Sequence, residues 1–111
     1  METSCQLLRV ADALEKLPHE GKRFATVFEH GSLTVEIYSP RGSDPQQPHA
    51  RDEVYFVVSG SGEYVCGASR RSFKPTDLLF VAAGVEHRFE NFTDDLTVWV
   101  LFYGPEVAKN D

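Results

Sequence analysis

Apolar residues recur with two different periods along the chain. Leu7, Leu8, Val10, Ala11, Leu14 and Leu17 fall at helical spacing and Pro18 ends the run, which predicts one short amphipathic helix over residues 6–17. Beyond residue 22 the texture changes to short runs rich in β-branched and aromatic residues, punctuated by Gly, Pro, Asp and Ser. These predict strands at Phe24–Glu29, Leu33–Tyr38, Val54–Ser59, Glu63–Cys66, Arg71–Phe73, Leu78–Val81, His87–Asn91 and Leu96–Tyr103. The segments between them, such as Gly60-Ser61-Gly62 and Lys74-Pro75-Thr76-Asp77, accept turn geometry readily. Many short strands at even spacing predict an all-β sandwich or small barrel. Val54, Phe56 and Val58, with Val98, Val100 and Phe102, are read as a second apolar face, outward of the barrel interior. Strands that are apolar on both faces are buried on both, so this outer face needs a cover, either the N-terminal segment or a second subunit.

Composition narrows the class without changing it. The 111 residues make one domain, and a 41% hydrophobic content supports a packed core. Cys5 and Cys66 do not make a disulfide framework. The net charge of −6 argues against a nucleic-acid partner, which normally needs a basic face. Lys22-Arg23 and Arg70-Arg71 are isolated pairs read as solvated turn ends. No apolar run approaches the ~20 residues of a membrane helix. Met1-Glu2-Thr3-Ser4 lacks the basic start of a secretion signal, so a cytoplasmic protein with no membrane partner is expected. The expected division is a leader at 1–22, a barrel at 23–105 and a tail at 106–111.

The candidate chemistry sits at the entry to the third strand. Gln47, His49 and Glu53 lie at i, i+2 and i+6, and so share one face if the chain is extended there. An amide oxygen, an imidazole and a carboxylate would then converge. His87 opens a later strand after Ala83-Gly84 and offers a second imidazole. Such a donor set suits Zn²⁺, Mn²⁺, Fe²⁺ or Ni²⁺ rather than Ca²⁺ or Cu⁺.

The spacing resembles the two motifs of the cupins. In those motifs Gly-x5-His-x-His-x(3–4)-Glu-x6-Gly is followed by Gly-x5-Pro-x-Gly-x2-His-x3-Asn. Here His49 stands at the second His, Glu53 at the carboxylate, Gly60 at the closing Gly, Gly84 at the turn, His87 at the last His and Asn91 at the Asn. Gln47 replaces the first His, Thr76 a Gly and Ala82 the Pro. The set Gln47, His49, Glu53 and His87 is similar, in ligand types only, to the zinc set of phosphomannose isomerases, which are also cupins.

The resemblance implies a cupin-type double-stranded β-helix, or jelly-roll barrel, with a short N-terminal helix, a divalent metal on those four residues and a homodimer. It implies a small oxygenated or carboxylated metabolite as ligand. Lewis-acid chemistry of an isomerase or lyase is the preferred activity, with a metal-dependent dioxygenase and a non-catalytic small-ligand or sensor barrel as alternatives. Tyr55, continuing the inward face from Glu53, and Arg51, suited to pair a substrate carboxylate, are the candidate catalytic residues.

Overall fold

The computed structural model describes residues 5–107. One helix, α1 (Val10–Leu14), precedes eight strands: β1 (Phe24–His30), β2 (Leu33–Tyr38), β3 (Asp52–Ser59), β4 (Gly62–Cys66), β5 (Ser69–Phe73), β6 (Leu78–Val81), β7 (His87–Glu90) and β8 (Thr97–Tyr103). They form two antiparallel sheets, β1-β2-β8-β3-β6 and β5-β4-β7, the all-β barrel expected from the sequence. The helix is five residues rather than twelve. Arg9 at its N-cap makes no side-chain cap bond, and upstream of the helix Leu7 is exposed while Leu8 is part-buried. Among the described residues no helix is long and apolar enough to cross a membrane.

Strand pairing decides which side chains face inward. Tyr55 lies opposite Val100, Val57 opposite Val98 and Glu53 opposite Phe102 across β3 and β8. The core accordingly holds Tyr55, Val57, Val98, Val100 and Phe102 together with Tyr64, Phe73, Val81, Phe89 and Leu96. Val98, Val100 and Phe102 therefore do not belong to the outward face. That face of β8 carries Trp99 and Leu101, which pair with Phe56 and Val54. A strand apolar on both sides contains no internal marker of parity, and only the register with Glu53 supplies one.

The outer face of the five-stranded sheet is unevenly covered. Val35 and Ile37 on β2 are buried, and α1 is packed against β2 with Ala13 buried beneath it. Toward the β6 edge no helix follows, and Phe56, Phe80 and Leu78 are 38%, 53% and 68% exposed.

Two turn residues carry backbone constraints. Gly60 has φ +88°, and a Cβ there would lie 2.5 Å from Leu96 Cα. Thr76, at the position where the cupin motif has Gly, also adopts a positive φ of 76°. A β-branched residue is strained there by roughly 1–2 kcal/mol. The bond from Thr76 N–H to the Val57 carbonyl, at 2.8 Å, helps hold it.

Candidate metal centre

Two backbone contacts bring the halves of the site together. The Gly84 N–H donates to the His49 carbonyl at 2.7 Å, and the Ala83 N–H donates to Asp52 Oδ1 at 2.9 Å. They clamp the loop before β3 to the turn before β7. His49 thus hangs from the loop, Glu53 points inward from β3, and His87 points inward from the first position of β7. One metal-ligating atom from each lies within 4.8 Å of the others. His87 Nε2 is 3.1 Å from Glu53 Oε1, and His49 Nε2 is 3.7 Å from the same oxygen.

The proton positions show what this arrangement lacks. The Val85 carbonyl can only accept, so the 2.9 Å contact from His87 Nδ1 places a proton on that nitrogen. In the neutral ring Nε2 then carries a lone pair, and it faces two acceptor oxygens, Glu53 Oε1 and Gln46 Oε1 at 3.2 Å. Glu53 is 1% exposed, and its Oε1 meets no donor in hydrogen-bond geometry despite the nearby ring. Four donor atoms thus converge where a shared proton or a metal ion could be held. Two imidazole nitrogens and two oxygens fit a borderline divalent ion.

Electrostatics differ between the two rings. Burial pulls the His87 imidazolium down, but the Glu53 carboxylate and the Val85 carbonyl outweigh it and leave the ring easier to protonate than usual. For His49 burial dominates and lowers the value, aided by His87 and opposed by Glu53. His49 also packs edge-on against Phe102, with ring centroids 4.8 Å apart.

The amide beside the histidines belongs to Gln46, whereas its neighbour Gln47 is exposed on the rim. Face alternation holds only in an extended strand, and β3 begins at Asp52, so parity counted back from Glu53 does not reach residue 47. Gln46 Oε1 accepts from the Tyr55 hydroxyl at 2.8 Å, and its Nε2 donates to Asp44 Oδ2 at 2.7 Å. Adjacent glutamines offer two amides for one place. The acidic residue two positions before Gln46 was the available sign of which is held. Asn91, which matches the closing Asn of the second motif, is exposed and donates to Glu63. Its φ of 50° ends the alternation of β7.

The centre opens into a cavity of about 710 Å³. Val100, Phe102 and Tyr38 contribute to its lining, as do Glu36, Arg41 and Arg51. Arg51 donates to the Ser32 carbonyl at 2.8 Å and to Thr34 Oγ1 at 3.3 Å, with its guanidinium carbon 5.4 Å from the Phe102 ring centroid. Tyr55 is fully buried and does not line the cavity.

Glu36 was not singled out by sequence, where it reads as an ordinary strand residue. It is half-buried on the inner face of β2 and meets only the Thr26 hydroxyl, at 3.4 Å. Burial pushes its carboxyl above the usual range. The Thr26 contact and Arg51 oppose this, while Glu53 and Glu29 add to it. A carboxyl whose folded value is raised penalises the fold once ionised, and the penalty fades as pH falls through the folded value and is gone below the unfolded one. Glu36→Gln is therefore expected to melt higher than the parent at neutral pH, with the two melting curves converging near pH 4. A gain that persists unchanged in acid would contradict this origin.

Comparison with known proteins agrees with the geometry. The family model described as Cupin domain matches residues 34–103. An uncharacterised protein of Streptomyces coelicolor is 44% identical over 77 residues, 68% of this chain and 73% of its own. A cupin-2 domain protein from Shewanella frigidimarina superposes with a TM-score of 0.69 at 14% identity, covering 88% of this chain and 95% of that one. A proposed mannose-6-phosphate isomerase from Ralstonia eutropha is 25% identical with a TM-score of 0.61, over 81% of this chain and 93% of that one.

Proposed function

The chain belongs to the cupin domain family, and from that premise we propose that its barrel holds a divalent metal and uses it on a small oxygenated or carboxylated metabolite. His49, Glu53 and His87 are the protein ligands, and the Gln46 amide oxygen takes the fourth place that sequence alone assigned to Gln47. The observation that carries this reading is Glu53 Oε1, a buried carboxylate oxygen without a hydrogen-bond donor beside two imidazoles. Such an atom is expensive to bury unless a cation meets it.

A metal bound there supplies Lewis acidity to a ligand oxygen. The residues of the chain do the rest. Burial of His87 and Glu53 restricts approach to the His49 side, where the cavity opens. Arg51 is fixed by Ser32, Thr34 and Phe102, so a guanidinium stands ready to pair with a ligand carboxylate. Glu36 and Arg41 offer opposite charges to the same ligand, and Gln47 meets it at the rim. Tyr55 supports Gln46 rather than meeting the ligand. The likeness to a proposed mannose-6-phosphate isomerase favours isomerase or lyase chemistry over dioxygen chemistry.

The test is metal analysis of protein purified without added metal, then reconstitution with Zn²⁺, Mn²⁺, Fe²⁺ or Ni²⁺ and a thermal-shift screen of carboxylated metabolites. Metal at close to one equivalent is expected. Protein that takes up none after reconstitution overturns the reading.

The exposed residues Phe56, Leu78 and Phe80 lie at the β6 edge, where the sheet also presents a strand with one neighbour, β3. We infer that a second copy of the chain covers this edge and its exposed apolar surface. Sedimentation should show a dimer that Leu78→Lys dissociates. A monomer at high micromolar concentration would rule it out.

A further inference from the structure

Asp44 is buried in the loop between β2 and β3, yet it lies outside both motifs. Its carboxylate accepts three hydrogen bonds from three directions. The Tyr38 hydroxyl on β2 donates to Oδ1, the Phe89 N–H on β7 donates to Oδ2 at 2.7 Å, and Gln46 Nε2 donates to the same oxygen at 2.7 Å. Both oxygens already act as acceptors, Oδ1 toward the Tyr38 hydroxyl and Oδ2 toward the Phe89 N–H. Only the NH₂ end of the Gln46 amide can face it, and the amide oxygen must therefore face Tyr55, His49 and His87. The reverse orientation would set two acceptors against each other at Asp44 and would turn toward the cluster an NH₂ group, which cannot bind a metal.

We propose that Asp44 is a positioning residue that locks the Gln46 amide with its oxygen toward the His49–Glu53–His87 cluster, so that the centre presents two nitrogens and two oxygens to the metal. This rests on the metal reading above and gives the amide its function within it. A neutral amide oxygen is a weak donor and an unrestrained side chain would leave it pointing elsewhere much of the time. Held by a buried carboxylate, it is in place before the ion arrives. An oxygen in place of a third imidazole also shifts preference away from Ni²⁺ toward Mn²⁺.

Affinities for Mn²⁺ and Ni²⁺, measured by competition with a chelator, test this through a double-mutant cycle of Asp44→Asn and Gln46→Ala. Asp44→Asn alone should weaken Mn²⁺ binding by about 10-fold or more, the range of outer-shell partners. In the Gln46→Ala background the same change should have an effect below about twofold, because the group it acts through is gone. Tyr38→Phe, which removes a bond to Asp44 but not the amide, should leave affinity near the parent value and so report loss of packing alone. Equal effects of Asp44→Asn in both backgrounds overturn the proposal and leave the metal reading standing. A parent protein that binds neither ion overturns both.

Should Asp44→Asn not fold, the parent protein suffices. The Gln46 side-chain NH₂, identified by its absence from the Gln46→Ala spectrum, should exchange with solvent far more slowly than that of Gln47. Equal exchange rates overturn the proposal.

Discussion

Glu53→Gln is expected to abolish metal binding while leaving the barrel folded. The substitution keeps the shape of a side chain that is 1% exposed and sits between Phe102 and Val81 in the sheet. It removes the only carboxylate among the converging atoms, and with it the charge that faces both imidazoles. Outer-shell partners cost roughly 10–100-fold in metal affinity, and loss of a charged ligand should exceed that, reaching about a thousandfold. The measurement is metal content after dialysis against a chelator, with a thermal melt to confirm the fold. A variant that retains metal like the parent would show that Glu53 is not a ligand. His87→Ala should lose metal too, but it also opens a hole beside Tyr55 and His49, so the isosteric change is the cleaner probe.

Gly60→Ala is the largest expected loss of stability from a single added methyl group. Its Cβ would sit 2.5 Å from Leu96 Cα and 2.8 Å from Leu96 N, both backbone atoms that cannot rotate away. Leu96 is itself fully buried in the core. The positive φ adds roughly 1–2 kcal/mol of left-handed strain, and overpacking a fitted contact costs a further 1–3 kcal/mol. Together about 2–5 kcal/mol is a large share of the 5–15 kcal/mol that holds a domain of this kind. The melting temperature should fall by roughly 10–30 °C on the scaling for small domains. A variant melting within a few degrees of the parent would mean that the β3–β4 turn relaxes away from Leu96.

The contrast between these two positions shows what the sequence could and could not reveal. Gly60, His49, Glu53 and His87 are separated by fixed spacings, and spacing survives in a sequence whatever the chain does in space. The eight strands were legible for a related reason: their turns are made of residues whose backbone preferences are local. Residues whose placement depends on irregular backbone were not legible. Gln46 and Gln47 differ by one position in a bent, proline-flanked loop, and the bonds to Asp44 and Tyr55 select between them. The inward side of β8 depended on register with β3, a non-local fact. Glu36 looks like any alternating polar strand residue until the cavity beside it is seen.

Glu53 and His87 come from different sheets, β3 from the five-stranded one and β7 from the three-stranded one. Elsewhere the sheets meet through packed rings, such as Tyr55 on Phe89 at 5.0 Å. Packing of that kind has a fixed strength. An ion shared between the sheets is a rivet whose grip is set by the surroundings: each tenfold rise in free metal above the dissociation constant adds about 1.4 kcal/mol to the folded state. On the proposed metal reading, the stability of the barrel would follow its metal supply through the seam between the two sheets.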